Sequence, residues 1–307
     1  MKKIVFLLLL SGSVINAQKK AAIHNSEIIR IETTLASDEM QGRKVFTAGI
    51  DSASAFIERE FTKVGLDYYK ELKNYRQEFT SRNQSANNVI GILLGKSKPN
   101  EYVVFSAHYD HLGTEQEGKD KVYNGANDDA SGVTAVIALA NYFKVLDSNE
   151  RTIIFVAFTA EEIGGYGSKF FSKNINPDEV VAMFNIEMIG TESKWGKNSA
   201  YVTGFEKSDF GTLLQKNLKG TNFNFYEDPY PQENLFYRSD NATLAAYGVP
   251  AHTISTSKMD SEANYHQLSD EVSTLDLDNM TEIIKAIAIS SESIIKGEDT
   301  PRRVEKR

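Results

Sequence analysis

The stretch Asn124-Gly125-Ala126-Asn127-Asp128-Asp129-Ala130-Ser131-Gly132 sets two adjacent carboxylates in a turn, immediately ahead of an apolar run with helical patterning. Groups able to bind a divalent cation lie on either side of it: Ala107-His108-Tyr109-Asp110-His111 before, then Glu161-Glu162, Asn185-Ile186-Glu187-Met188 and Tyr265-His266 after. Imidazoles and carboxylates in this order suit a pair of zinc ions, because one carboxylate can bridge two metals through its two oxygens. The chemistry this points to is metal-assisted hydrolysis. The chain has no cysteine, which excludes thiolate zinc sites, disulfides and a cysteine nucleophile, so any metal must rely on His, Asp and Glu.

His108 and Asp110 stand two apart at the end of a β-prone run, a spacing that puts both side chains on one face if the strand continues. A metal-binding imidazole needs an acceptor behind its second ring nitrogen, and Asp110 is the candidate for that place. An ordinary polar loop after a strand is the plainer alternative. For Asp128 and Asp129 the alternative is capping of the following helix. Capping explains one acid better than two, since neighbouring carboxylates repel unless a cation lies beside them. Glu161-Glu162 closes an apolar run ahead of Gly164-Gly165-Tyr166-Gly167, and at such a break one acid can ligate while the other acts as general base. An exposed helix start is the competing reading. Glu187 closes another apolar run, and His266 lies in a loop with Asp270 four residues on, where a surface histidine is the common case. His24, His252 and His111 carry no strong claim, the last being placed on the loop rim.

These groups need a scaffold that brings them together. β-Prone runs at 88–94, 102–107, 151–159, 180–187, 200–202 and 249–254 alternate with helical patterns at 26–66, 130–146, 209–218, 241–247 and 277–295. Gly42 and Gly49 mark a loop within the first helical stretch, with a second helix over 53–64. This alternation predicts an α/β fold, a three-layer α/β/α sandwich around a mixed, largely parallel central sheet. Functional groups of such sheets collect where strands end, so one crevice can gather His108, Glu161, Glu162 and Glu187.

The 307 residues, 41% hydrophobic and 25% charged, fit one such domain over 18–295. Residues 1–17 run from Met1-Lys2-Lys3 through an apolar segment ending at Leu10 to a small residue at Ala17, the layout of a secretory signal peptide. The apolar run is too short to cross a bilayer, and without cysteine there is no lipobox anchor. A periplasmic or secreted protein with no membrane anchor is expected. The charged segment 296–307 is expected to be a frayed tail. A formal net charge of -8 disfavours binding to nucleic-acid backbones.

Taken in order, Ala107-His108-x-Asp110, Gly125-Ala126-Asn127-Asp128-Asp129-Ala130-Ser131-Gly132, Glu161-Glu162-x-Gly164-x-x-Gly167-Ser168, Asn185-x-Glu187-Met188-x-Gly190 and Tyr265-His266 resemble the M28 family of zinc aminopeptidases, across roughly 35–295. The resemblance implies two zinc ions, one on His108, Glu187 and Asp128, the other on Glu162, His266 and the same Asp128; other divalent metals can take their place. It also implies that Glu161 is the general base on a metal-bridged water, later passing the proton to the leaving amine. Asp110 becomes the acceptor behind His108, and the peptide bond from Asp128 to Asp129 is expected to be cis, uncommon outside proline.

Two departures accompany the match. Glu187 stands where the best-known members have Asp, one methylene shorter, which shifts or weakens the metal it holds. Phe236 stands where some members have an oxyanion-stabilising tyrosine, leaving Tyr237 or the metals for that role. Asp240 is a candidate for the substrate pocket, or caps the helix before Ala242. Between Leu66 and Asn88 there is no room for the protease-associated domain that many members insert. The implied activity is removal of N-terminal residues from peptides with a free amino terminus. A glutaminyl cyclase, which shares the fold but uses one zinc, is the nearest alternative, although such enzymes usually have Ser or Gly in place of Asp129. A non-catalytic binding domain is the third reading, and the filled ligand positions weigh against it.

Overall fold

The computed structural model describes residues 21–307, so the signal peptide expected over 1–17 lies outside the described residues. In chain order the strands are β1 (Asp67–Tyr68), β2 (Arg76–Ser81), β3 (Gln84–Leu93), β4 (Lys98–His108), β5 (Gly113–Thr114), β6 (Val122–Tyr123), β7 (Arg151–Phe158), β8 (Val180–Ile186), β9 (Ser199–Val202), β10 (Asn224–Glu227) and β11 (Ala251–Ser255). The helices are α1 (Asn25–Leu35), α2 (Ala48–Val64), α3 (Ser131–Leu146), α4 (Tyr166–Lys173), α5 (Phe210–Asn217), α6 (Asn241–Ala245) and α7 (Leu277–Ile295). The main sheet has nine strands in the order β1-β3-β7-β4-β8-β11-β9-β10, with β2 paired to β3; β5 and β6 form a separate ribbon. β7, β4, β8 and β11 are mutually parallel, while β3 opposes β7 and β9 opposes β11. This is the mixed sheet expected from the sequence, parallel at its centre and antiparallel where β1, β2 and β3 join on one side and β9 on the other.

Side chains alternate across the central strands and feed two cores. Val103, Phe105 and Ala107 of β4 join Ile153, Phe155 and Ala157 of β7 on the face covered by α1, α2, α3 and α7. Val104, Ile154, Val156 and Phe158 face the other way, against Phe171 of α4 and Leu244 of α6. Burial on both faces is why these strands read as unbroken apolar runs. Phe105 anchors the first core, its ring stacked near Phe143, Phe155 and Phe184. Emptying such a position costs about 3–5 kcal/mol. α3 packs on α1, α2 and α7 as well as on the sheet, and its first three turns are buried all round.

The loop expected at Gly42 and Gly49 interrupts the helical stretch over 26–66: α1 stops at Leu35, a 3-10 turn follows at Asp38–Arg43, and α2 begins at Ala48, five residues ahead of the expected 53. Gly42 makes that turn at φ 64°, and a Cβ there would meet the Gly113 carbonyl oxygen at 2.1 Å. Two other sequence expectations change. β2 was not expected, because Arg-Gln-Glu-Phe-Thr-Ser is mostly polar; it forms a hairpin with β3 through Arg82 and Asn83, both left-handed. The segment 296–307 is docked rather than frayed. Arg303 donates to the Val180 and Pro177 carbonyls, Val304 fills the second core, and Arg151 donates to Asp299 and Thr300.

A buried acid gives the fold a measurable pH signature. Glu32 of α1 is fully enclosed, accepting a hydrogen bond from the Thr134 hydroxyl at 2.7 Å. Burial pushes its carboxyl from 4.5 up to about 8, against the opposing pull of Thr134 and Arg43. The folded chain therefore holds this proton more tightly than the unfolded chain. The stability it contributes is fully present below about pH 4.5 and is lost at up to about 1.4 kcal/mol per unit as pH rises towards about 8. Thermal unfolding of Glu32→Gln across this range should show a shallower pH dependence than the parent chain. Parallel slopes would refute the assignment.

Candidate metal centre

Because β4, β7, β8 and β11 are parallel, their carboxyl ends open on the same edge of the sheet. His108 is the last residue of β4, opposite Phe158 of β7. Glu161 and Glu162 lie in the turn after β7, and Glu187 directly follows β8. Asp128 comes from the irregular turn Ala126–Ala130 that leads into α3, and His266 from the loop between β11 and α7. These six residues line one cavity.

Asp128 sits at their centre. Its Oδ1 is 3.2 Å from His108 Nε2, its Oδ2 is 3.2 Å from His266 Nε2, and that nitrogen is 3.2 Å from Glu162 Oε2. Yet neither His108 Nε2 nor Asp128 Oδ2 makes a hydrogen bond among the described residues. The atoms are close without being aimed at one another. Tetrahedral zinc, with bonds of about 2.0–2.1 Å, holds its ligand atoms roughly 3.3 Å apart. This donor set therefore fits a shared cation.

The electrostatics point the same way. Burial would raise Asp128, but His108 and His266 outweigh it and hold the carboxyl well below the usual carboxylate range. His266 is in turn pushed up to about 10 by Asp128 and Glu162. Burial raises Glu161, with Asp240, Glu187 and Asp110 adding and His108 opposing, and it pushes Glu187 up to about 7. A cation between these enclosed carboxylates would relieve the repulsion that helps raise Glu161 and Glu187.

The Asp pair divides its work. The peptide bond joining Asp128 to Asp129 is cis. Asp128 faces the cavity, whereas the Asp129 carboxylate accepts from the backbone N–H groups of His108, Gly132 and Met188 at 3.1–3.2 Å. Helix capping is thus realised by Asp129, through Gly132 in the first turn of α3. Asp270 performs a similar service, accepting from the N–H groups of Asn127 and Asp128.

Several sequence expectations are corrected here. β4 ends at His108, so face alternation does not carry on to Asp110. His108 Nδ1 lies 3.1 Å from the Asp110 carbonyl oxygen and 4.0 Å from its carboxylate. That carboxylate instead accepts from the N–H groups of Glu161 and Glu162, fixing the turn that carries both acids. His111 is not on the rim: it is 1% exposed, with Nδ1 3.0 Å from Glu162 Oε1. His111, Asp128 and Glu162 offer ligand atoms all within 4.8 Å of one another. Tyr237 does not line the cavity, because its ring packs on Phe236 and lies under the Arg307 guanidinium. Tyr265 lines it instead. Asp240 is buried outside the cavity lining, neither oxygen having a hydrogen-bond partner among the described residues. His252 is a core histidine held between Ser208 and the Thr203 carbonyl.

Residues 88–290 match the family model described as Peptidase family M28. Aminopeptidase YwaD of Bacillus subtilis is 33% identical over 138 residues, which covers 44% of this chain and 28% of that protein. The chain spans about a third of the length of the curated relatives it matches. Among solved structures, BSAP, a zinc aminopeptidase from Bacillus subtilis, superposes with a TM-score of 0.71 at 14% identity, over 92% of this chain and 98% of that one. Porphyromonas gingivalis glutaminyl cyclase superposes with a TM-score of 0.69 at 13% identity, over 89% and 99%. At such identities these two likenesses concern the fold.

One cation is already built into the loops behind the centre. Arg43 is fully buried and donates to the backbone carbonyls of Leu35, Tyr109, Asn124, Gly125 and Asp128. Burial pulls its guanidinium down, while Glu32, Asp270, Asp128 and Asp129 favour the charged form. A lysine cannot reach so many acceptors, and each buried carbonyl left unpaired costs about 1–3 kcal/mol. Arg43→Lys should lose at least about 3 kcal/mol in urea unfolding of chelator-treated protein. A loss below about 1 kcal/mol would show that the loops hold without this hub.

Proposed function

The chain belongs to peptidase family M28, and on that premise we propose that it is a two-zinc aminopeptidase, removing residues from the free amino terminus of peptides. The observation that carries this reading is the convergence of His108, Asp128, Glu162, Glu187 and His266 on one cavity, with Glu161 beside them. Asp128 would be the ligand common to both ions, with His108 and Glu187 on one side and Glu162 and His266 on the other. Bound zinc would polarise the scissile carbonyl and bring the pKa of a water towards neutrality.

The remaining work belongs to the protein. Glu161 takes the proton from the attacking water on a side-chain carboxylate oxygen and delivers it to the leaving amine. Its N–H is tied to the Asp110 carboxylate, which fixes the turn that carries it beside the ligand residues. Of the two phenols in the cavity, Tyr201 donates to the Ser257 carbonyl, while Tyr265 stacks on His266. Burial and the surrounding carboxylates push the Tyr265 phenol up, so it remains a donor available to the developing oxyanion. Met188, Leu235 and Met259 form an apolar part of the wall, suited to an apolar first residue.

Among the described residues no helix is long and apolar enough to cross a membrane. The signal-peptide pattern of 1–17 is what supports a periplasmic or secreted location.

Glu161→Gln should abolish turnover while metal content stays at two per chain by elemental analysis; normal activity in that variant would sink the mechanism. Tyr265→Phe should lower kcat about 100-fold with little change in KM. An unchanged kcat would remove Tyr265 from the oxyanion role. Profiling the purified chain on aminoacyl amides and on Gln-initiated peptides, with and without chelator, tests the activity itself. A single tightly held zinc with cyclisation of N-terminal Gln would establish a glutaminyl cyclase instead.

A further inference from the structure

His111 is the one enclosed histidine of the cavity region that the two-zinc reading leaves without a task. It is held from several sides. Its backbone N–H donates to the Arg43 carbonyl, and its ring presses on Gly125, where a Cβ would meet the ring at 2.5 Å. Nδ1 is 3.0 Å from Glu162 Oε1 and 3.8 Å from Asp128 Oδ2. Nε2 is buried and has no hydrogen-bond partner among the described residues.

Two roles compete for this ring, metal ligand or anchor for Glu162. A ligating histidine donates its other N–H to an acceptor. His108 meets that requirement, its Nδ1 lying against the Asp110 carbonyl. His111 does not: if Nδ1 bound a metal, the proton would sit on Nε2, a buried donor with no acceptor. Orphaned buried N–H groups are rarer than orphaned acceptors, so the proton belongs on Nδ1. The approach distances agree. His266 Nε2 is equidistant from Asp128 Oδ2 and Glu162 Oε2, as a ligand sharing a metal with them would be. His111 Nδ1 instead favours Glu162 and meets its other oxygen, Oε1.

We propose that His111 is a positioning residue for Glu162. Its Nδ1–H donates to Oε1, and this turns Oε2 towards Asp128 and His266. His111 thereby sets the affinity of one metal position and leaves the position at His108 and Glu187 alone. This rests on the two-metal reading and adds a residue to it.

The test uses the full chain with three readouts. Metal titration of the parent chain comes first. His111→Leu removes the donor, and His111→Asn places an amide N–H near Nδ1. The expected result is that His111→Leu weakens one of two metals about 10–100-fold, leaves the other unchanged, and that His111→Asn restores most of the loss. Long-range nitrogen–proton NMR of the zinc-loaded, histidine-labelled parent should show His111 protonated at Nδ1, which requires no variant to fold. A metal-bound Nδ1 would overturn the proposal in favour of a ligand. Equal defects in the Leu and Asn variants, or two undisturbed metals in the Leu variant, would overturn it while leaving the two-metal reading intact. Fewer than two metals on the parent chain would instead defeat that reading, and the assignment with it.

Discussion

Carboxylates enclosed together at the ends of parallel strands repel one another, and the surrounding architecture is organised by that repulsion. Asp110, Asp128, Asp129, Glu187 and the turn acids Glu161 and Glu162 all gather at one edge of the sheet. Hydrophobic packing puts them there, because the strands that deliver them are buried on both faces and can open only at their ends. Burial then raises Glu161, Glu187 and Asp129, while the imidazoles of His108 and His266 hold Asp128 down. Within the fold, stability and cation affinity are two sides of one charge balance.

Part of this demand is met by hydrogen bonds from the backbone. Asp129, Asp110 and Asp270 each accept from two or three backbone N–H groups, so their charge is dispersed over loops that would otherwise carry unpaired donors. Arg43 supplies the complementary half, gathering backbone carbonyls of the same loops. Acids that take backbone hydrogen bonds form the frame, and acids that face the cavity are left with lone pairs to offer. That division turns adjacent residues of like chemistry to unlike purposes, as in Asp128 with Asp129. His111 lies on the boundary between the two sets, its backbone tied to Arg43 and its ring to Glu162.

The central strands, α3 and α7 were legible because their apolar runs are long and their periods distinct. β2 was not, since its pairing with β3 rests on a turn without a glycine signal. The docked segment 296–307 was equally hidden. Its charge suggested solvent, but Arg303 donates to the Val180 and Pro177 carbonyls, Arg151 of β7 donates to the Asp299 carbonyl, and Val304 reaches the second core. The residues that meet at the cavity were legible as a set because each acid or imidazole closes a strand or a turn, a place where burial of a polar group needs a partner. Their supporting residues were harder to place. Asp110 was assigned to the His108 ring by its spacing, and only the end of β4 shows that its carbonyl fills that place while its carboxylate turns to Glu161 and Glu162.

The sequence by itself determined the fold class, the order of the chemical groups and the kind of ion they suit, because residue type and strand position are local properties. Tertiary structure decided direction. Whether Asp129 faces the cavity or the backbone, whether Tyr237 or Tyr265 reaches the cavity, and whether His111 lies on a rim or against Glu162 all depend on which segments meet. Those meetings are set by burial and loop closure across distant parts of the chain, where spacing along the sequence carries no information about angle.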